Sequence, residues 1–327
     1  MNDHRSRTPR LVASLPDTPG WGIALAVIAA GISGLAIWFN AFAVKQVPDA
    51  AVYTTLKNGV AAALLLLVAA ASVRPAQIRA VGRTSWLALT VVGLVGGGLA
   101  FLLFFTGLAM ASAPSAAFIQ KTMFVWVAML AVPFLGERLG WTQIIALLVL
   151  AVGQFLVLPP RGVMWGTGET LILVATLCWA AEVVVVRRYL RTTATPIVAA
   201  GRLGIGLVAL VGFILFSGRA EGILSLGPSA WGWVLLTGVV LAGYVTAWFA
   251  ALRRAPATVV TSVLVGGAVI TGALQALTNG GAPSPDLVAG YLLIAAAVGL
   301  TAFAASRAGA LVRATTESPA ASVTVDA

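Results

Sequence analysis

Apolar residues along the chain fall into ten continuous runs separated by short joints that carry proline or glycine. The runs cover about 21–44, 50–72, 85–110, 114–134, 140–158, 166–187, 195–217, 230–251, 257–277 and 287–306. Each approaches or exceeds the roughly 20 residues with which an α-helix crosses the hydrocarbon core of a bilayer. The pattern predicts ten transmembrane helices. It excludes a transmembrane β-barrel, whose strands are alternating segments of about ten residues.

Composition indicates the same fold class, an all-α integral membrane protein. Hydrophobic residues make up 60% of the 327 residues and charged residues 9%, against roughly 45–50% and about 25% in soluble domains. A soluble fold could not bury so much apolar surface, which excludes a soluble enzyme, a nucleic-acid-binding protein and a disordered regulator. The single cysteine, Cys178, excludes an intrachain disulfide and a Cys-based metal cluster.

The basic residues predict how the protein sits in the membrane. With ten spans, 14 of the 20 lysines and arginines fall on the same side of the membrane as the N-terminus, three fall on the opposite side and three lie within spans. Because lysine and arginine collect in cytoplasmic loops, we expect both termini in the cytoplasm and the protein in a bacterial inner membrane. Residues 1–20 and 307–327 are then cytoplasmic polar tails. The same bias explains the net charge of +10 without a nucleic-acid partner.

The two halves of the chain, 21–158 and 159–306, resemble each other, and each contains five predicted spans. The aligned positions include Trp38 with Trp179, Lys57 with Arg202, Trp86 with Trp231, and Gly107 with Ala251. Because five is odd, the second repeat is expected to be inverted relative to the first. Inverted-topology repeats are typical of secondary transporters, whose substrate site lies near the bilayer midplane between the halves.

Several short motifs are similar to those of one family. They are Trp38, Lys57, Thr106-Gly107-Leu108-Ala109, Phe134-Leu135-Gly136-Glu137-Arg138-Leu139, Cys178-Trp179-Ala180, Arg202 and Ala250-Ala251-Leu252. On these residues the chain resembles, over about 21–306, the EamA-type ten-helix permeases of the drug/metabolite transporter superfamily. The resemblance implies efflux of small metabolites or drugs without an ATP site. The joint Thr278-Asn279-Gly280-Gly281 departs from the family, which often repeats Leu-Gly-Glu there.

Two lysines inside predicted spans are the main candidates for substrate binding, because an ionisable side chain at membrane depth is costly and marks a functional site. Lys57 and Lys121 both enter from the external side and can face one cavity. Two ammonium groups there would favour a carboxylate or phosphate on the substrate. For Lys57 the alternative is a side chain that extends to the interface. The other candidate substrate contacts are Gln120, Asn40, Trp38 and Trp126.

Glu182 is the one carboxylate well inside a predicted span, and Arg202 is the repeat counterpart of Lys57. A buried carboxylate is a candidate proton carrier that would couple transport to protons. The alternative is an ion pair with Arg202 or Arg187. Glu137 and Arg138 are predicted to begin the fifth span, where a carboxylate in the first turn complements the helix dipole. We expect this pair to form a structural turn or a gate latch.

The sequence offers little for catalysis. The only histidine, His4, lies in the N-terminal tail, and no phosphate-loop motif occurs. We therefore expect no enzymatic activity, cofactor or metal. The favoured hypothesis is a monomeric or homodimeric secondary transporter that exports an amino acid or related carboxylate-bearing metabolite by alternating access. One alternative is proton-coupled efflux of cationic drugs centred on Glu182, and another is a membrane scaffold or sensor that transports nothing.

Overall fold

The chain forms a bundle of helices. The computed structural model describes residues 18–47, 49–111, 113–157, 165–224, 226–279 and 284–317, and these contain no β-strand. Most of the predicted N-terminal tail, the end of the C-terminal tail and the joint at 158–164 lie outside the described residues.

The helices of the two halves have the following bounds. In the first half they are α1 (Pro19–Ala43), α2 (Ala50–Ser72), α3 (Pro75–Arg79), α4 (Arg83–Val91), α5 (Ala100–Met110), α6 (Ala113–Lys121), α7 (Met123–Leu135) and α8 (Trp141–Val157), with a π-helical segment, Val92–Leu99, between α4 and α5. In the second half they are α9 (Thr167–Tyr189), α10 (Thr195–Phe216), α11 (Glu221–Leu224), α12 (Pro228–Arg254), α13 (Ala257–Val265), α14 (Gly267–Asn279) and α15 (Pro285–Glu317).

The prediction of an all-helical membrane protein is confirmed. Nine helical runs among the described residues are long and apolar enough to cross a membrane, and α8, with 17 residues, is a shorter apolar tenth. Local chemistry sets several ends. The Asp49 carboxylate accepts from the backbone N–H groups of Ala51 and Val52 and so caps α2. Gly136 ends α7 in the left-handed conformation, with φ of 67°.

Three elements differ from the predicted spans. Helix α15 continues to Glu317, past the expected end at 306. The fourth and ninth spans, expected as continuous helices, are each broken, at Thr122 and at Gly266. These two breaks are 144 residues apart, which is also the separation of Gly107 from Ala251 in the sequence alignment of the halves. The breaks are therefore equivalent features of the two repeats.

Packing between the halves follows the same repeat. Helices α1 and α9 are the first helices of the two repeats. Helix α1 packs on α12 and α13 of the second repeat, and α9 packs on the corresponding helices of the first repeat, α5 and α7. Two further large contacts join counterparts directly, α2 with α10 and α8 with α15. This pairing confirms a two-repeat architecture. The α2–α10 pair carries Lys57 and Arg202, the aligned basic residues of the two repeats.

Glycines allow the backbones of α10 and the π-helical segment to come into direct contact. A Cβ atom on Gly206 would overlap the backbone of Gly97, and a Cβ on Gly97 would overlap the carbonyl oxygen of Arg202. Small residues permit such close helix contacts in membranes. The largest cluster of buried apolar side chains draws on both halves, including the ends of α9 and α12 and the starts of α1, α10 and α13. We call the end of the bundle at which these helix ends pack together the sealed end.

Candidate functional site

A cavity of about 210 Å³ lies at the centre of the bundle, between the two repeats. Helices α1, α2, α5, α6 and α7 of the first repeat and α9, α10, α12 and α13 of the second contribute to its wall. It brings together six of the residues that the sequence singled out, namely Asn40, Lys57, Gln120, Lys121, Glu182 and Arg202. Their roles stay predictions, but their shared location follows from the helix packing.

Lys57 extends from α2 into a network of neutral polar groups. Its ammonium donates to Asn40 Oδ1 at 3.2 Å. The Tyr53 hydroxyl shares its proton between the same Asn40 oxygen, at 2.5 Å, and Thr237 Oγ1, at 2.9 Å. The ammonium also lies 5.0 Å from the centre of the Tyr53 ring and 5.7 Å from that of Phe105, within the range of cation–π attraction. These contacts orient Lys57 but do not neutralise its charge.

Lys121 is the last residue of α6, at the break in the fourth span. After it, the Thr122 hydroxyl donates to the carbonyl of Ile119 at 2.6 Å and accepts from Trp126 Nε1 at 3.0 Å. These two bonds fix the break. The first N–H groups of a helix lack partners in the preceding turn and carry partial positive charge, so the start of α7 beside Lys121 adds to a positive potential. Such half-helix starts are typical anion sites in transporters.

Glu182 and Arg202 form a buried ion pair across the cavity wall. Arg202 donates from both Nε and a terminal nitrogen, so each carboxylate oxygen of Glu182 accepts one bond. The guanidinium also donates to the carbonyl oxygen of Gly96 at 3.2 Å, which accepts Trp179 Nε1 at 3.0 Å as well. A Cβ on Gly96 would overlap the Glu182 carboxylate. The π-helical segment thus makes room for the pair and supplies one of its acceptors.

The aromatic wall differs from the one the sequence suggested. Trp38 packs on the rings of Phe39 and Phe42, and Trp126 is engaged at Thr122, so neither is among the lining residues. The rings that line the cavity are Phe101, Phe124, Trp179, Tyr244 and Trp248. Of these only Trp179 was named from the sequence, as the counterpart of Trp38 and as part of the motif Cys178-Trp179-Ala180. The others were missed because a helix that is apolar all round gives no pattern for which face looks inward.

Glu137 makes the main polar connection at the sealed end of the bundle. Its expected place in the first turn of the fifth span is wrong, because Gly136–Gly140 is not helical and α8 begins at Trp141. Instead its carboxylate crosses to the second repeat and caps α13. It accepts from the N–H of Ala257 at 2.6 Å, the N–H of Thr258 at 3.1 Å and the hydroxyl of Thr258 at 2.7 Å. We call Glu137, Ala257 and Thr258 the latch.

Two arginines at the end of α9 also form hydrogen bonds at this end, and one of them, Arg188, joins the two repeats. Arg187 donates to the carbonyl oxygen of Leu252 at 2.6 Å, and Arg188 donates to that of Phe134 at 2.5 Å. Cations near carbonyls at helix C-termini are favourable. The end of α7 in the first repeat is therefore tied to α9 and α13 of the second, whereas Arg138 is exposed.

Comparison with known proteins assigns the family. The model of the EamA-like transporter family matches residues 20–158 and again 166–303. The chain belongs to the EamA-like transporter family. As an EamA-like protein it is a multi-pass membrane protein of a transporter family, with one family unit in each half.

Comparisons of sequence and of structure with individual proteins add less. No curated protein matches the chain. Chains of solved structures do match it, and one of them, a crystal structure of a protein, superposes with a TM-score of 0.69 at 18% identity. The match covers 87% of this EamA-like chain and 99% of the other. At that identity the likeness shows a shared fold.

Proposed function

We propose that this EamA-like protein is a secondary active transporter that exports a small carboxylate-bearing metabolite, such as an amino acid, by alternating access. The observation that carries the proposal is the central cavity between the repeats, with Lys57 and Lys121 in its wall. A soluble anion crossing a membrane needs cationic groups at membrane depth, and these two lysines supply them. The family assignment supports transport in general.

The size of the cavity favours a small metabolite over a drug. Pockets for drug-sized ligands have volumes of about 300–1,000 Å³, and this cavity has about 210 Å³. In the proposed complex Lys121, the adjacent start of α7 and Gln120 bind one anionic group, while Lys57 and Asn40 bind from the other side. The aromatic rings of Phe101, Trp179 and Tyr244 pack against the apolar part of the substrate.

Alternating access needs an end that closes, and the latch supports assigning this role to the end beside α13. Glu137 of the first repeat and α13 of the second would separate when the cavity opens there. We propose that the repeats are inverted, that this end is cytoplasmic in an inner membrane, and that both termini lie on the same side. The excess of arginine at this end supports the orientation.

Proton-coupled efflux of cationic drugs receives less support. That hypothesis needs a Glu182 carboxylate available to a proton or a cation, and both of its oxygens accept bonds from Arg202. A coupling role would require the ion pair to open during the cycle. The pair therefore favours a structural role for Glu182 in this conformation.

The test is a ligand screen by thermal unfolding of the purified full-length protein, with carboxylates, zwitterions and cations, repeated on Lys121→Ala and Lys45→Ala. A ligand at 100 times its dissociation constant stabilises by about 2.7 kcal/mol. We expect shifts with carboxylates that disappear in Lys121→Ala and persist in Lys45→Ala, whose lysine is exposed. Shifts with cations alone would refute the proposal in favour of the Glu182 hypothesis. Binding without flux into liposomes would favour a sensor or scaffold.

A further inference from the structure

Few of the side chains that line the cavity carry a charge. Four ionisable residues of lysine, arginine or acid type line it, namely Lys57, Lys121, Glu182 and Arg202. Glu182 and Arg202 neutralise each other through two hydrogen bonds. Among the described residues, neither Lys57 nor Lys121 has a carboxylate partner. The wall therefore carries two positive charges that the protein itself does not balance.

The contacts of the two lysines point to the same imbalance. Lys57 donates to an amide oxygen, that of Asn40, and faces two aromatic rings. Lys121 lies between the end of α6 and the start of α7, whose partial charges have opposite signs, so neither helix end replaces a carboxylate as its partner. A single negative charge in the cavity would leave one ammonium unbalanced in a low-dielectric environment, where such charges are costly.

The use of lysine in the chain is selective. The sequence has only three lysines, against 17 arginines, and two of the three line the cavity. The ammonium of lysine is a compact charge with three donors, and it can turn to meet one oxygen after another, whereas the planar guanidinium of arginine favours a fixed bidentate partner. Arg202 has such a fixed partner in Glu182. The ammonium groups of Lys57 and Lys121 have no such carboxylate partner and can therefore bind a mobile solute.

We infer that the substrate carries two anionic charges, as a dicarboxylate or a phosphate monoester, one charge meeting Lys57 and the other Lys121 with the start of α7. This inference rests on the proposed function and narrows its substrate class. Dicarboxylates and phosphate monoesters share the required chemistry, and they are compared directly in the test.

The test is calorimetric titration of the full-length protein in detergent with four probes. Succinate has two carboxylates, and succinamate is nearly the same shape with one carboxylate replaced by an amide. Glycerol 3-phosphate has a doubly charged phosphate, and glycerol has no charge. We expect succinate or glycerol 3-phosphate to bind at least about tenfold more tightly than its partner, since a charge-assisted contact is lost in the partner. The tighter of the two identifies the source of the charge.

Matched variants locate the two charges. In Lys57→Gln and in Lys121→Gln we expect the preference for succinate over succinamate to fall about tenfold, to near unity, and the preference for glycerol 3-phosphate over glycerol to fall by a similar factor. Lys57→Arg and Lys121→Arg keep the charge and should keep most of the preference. Lys45→Gln removes the third lysine, which is exposed and away from the cavity, and should leave the preference unchanged.

The outcomes separate this inference from the proposed function. The inference of a doubly charged substrate is refuted if succinate binds no more tightly than succinamate and glycerol 3-phosphate no more tightly than glycerol. It is also refuted if the preference survives in both Gln variants. This comparison in the unmodified protein holds even when a variant does not fold. Transport of a monocarboxylate or zwitterion into proteoliposomes, with no transport of either doubly charged probe, overturns the inference and leaves the proposed function standing. Absence of flux for every anion tested overturns both.

Discussion

Removal of the Glu137 carboxylate should release the sealed end of the bundle. The carboxylate accepts three hydrogen bonds from α13, at 2.6, 3.1 and 2.7 Å, from a segment of the other repeat. In Glu137→Ala the first N–H groups of α13 lose their cap and the two repeats lose three hydrogen bonds at this end. We expect the closed arrangement to become less stable relative to one in which α7 and α13 have separated.

The magnitude follows from the bonds. Hydrogen bonds to a charged group contribute about 1.5–3 kcal/mol each when buried, and loss of an N-cap costs about 0.5–2 kcal/mol. Glu137 is only partly buried, and bonds to one carboxylate are not additive. We therefore expect a net loss of about 2 kcal/mol, which is about thirtyfold in the equilibrium between closed and open states.

Cysteine accessibility measures this equilibrium. Cys178 is the only cysteine, so Cys178→Ser gives a background without thiols. Thr261→Cys then places one thiol on α13, at a position that is 1% exposed and lines the cavity. In membrane vesicles of known orientation, a membrane-impermeant maleimide added on the latch side should label this thiol about thirtyfold faster when Glu137→Ala is also present.

The control is Glu221→Ala, which removes an exposed carboxylate from the first turn of a different helix, α11. Labelling should not change with it. Equal labelling rates with and without Glu137→Ala would refute the reasoning, because the latch would then contribute nothing to closure. Faster labelling from the opposite side alone would refute the assignment of the gate to this end.

Three further predictions concern stability and are measured by thermal unfolding in detergent. Gly206→Ala should destabilise by about 1–3 kcal/mol because its Cβ would overlap the Gly97 backbone, whereas Gly204→Ala on the same helix, where the Cβ meets open space, should be neutral or stabilising; similar effects of the two would contradict the close approach. Glu182→Gln alone should cost about 3–5 kcal/mol by leaving Arg202 uncompensated, and Glu182→Met with Arg202→Leu should recover much of it; a double variant as unstable as the single would refute the pair as the cause. Gln154→Met should be neutral or stabilising, because both amide atoms of Gln154 are buried without a partner among the described residues, and a loss of stability would mean that the amide has a partner in the membrane.

Much of the fold was accessible from the sequence because lipid imposes a strong constraint. A helix in hydrocarbon must satisfy its own backbone, so long apolar runs predicted the helices and their number. Lys57 and Lys121, which were chosen for their depth along a helix, both line one cavity. These inferences depend on position along the axis of a helix, which the sequence gives directly.

The rest of the site depends on how each helix is rotated about its own axis and on contacts between residues far apart in the chain. The sequence does not give either of these. Trp38 and Trp126 were the aromatic residues predicted to contact substrate, whereas Phe101, Tyr244 and Trp248 line the cavity. No difference in hydropathy distinguishes these helix faces. The partner of Glu137 is 120 residues further along the chain. Its motif indicated a structural role, but a local pattern could not indicate which helix it caps.

The break at Thr122 also turns α7 into a lever with its pivot at the cavity. The helix has 13 residues and is therefore about 20 Å long at 1.5 Å per residue. A tilt of about 10° about Thr122 would move its far end by about 3.5 Å at that length, more than any of the three bond lengths at Glu137. The gate could thus open through one half-helix while α6, with Lys121 at its end, stays in register with the rest of the cavity wall. The equivalent break at Gly266 provides the second repeat with a pivot of its own, so the binding groups need not travel with the parts of the helices that admit and release the solute.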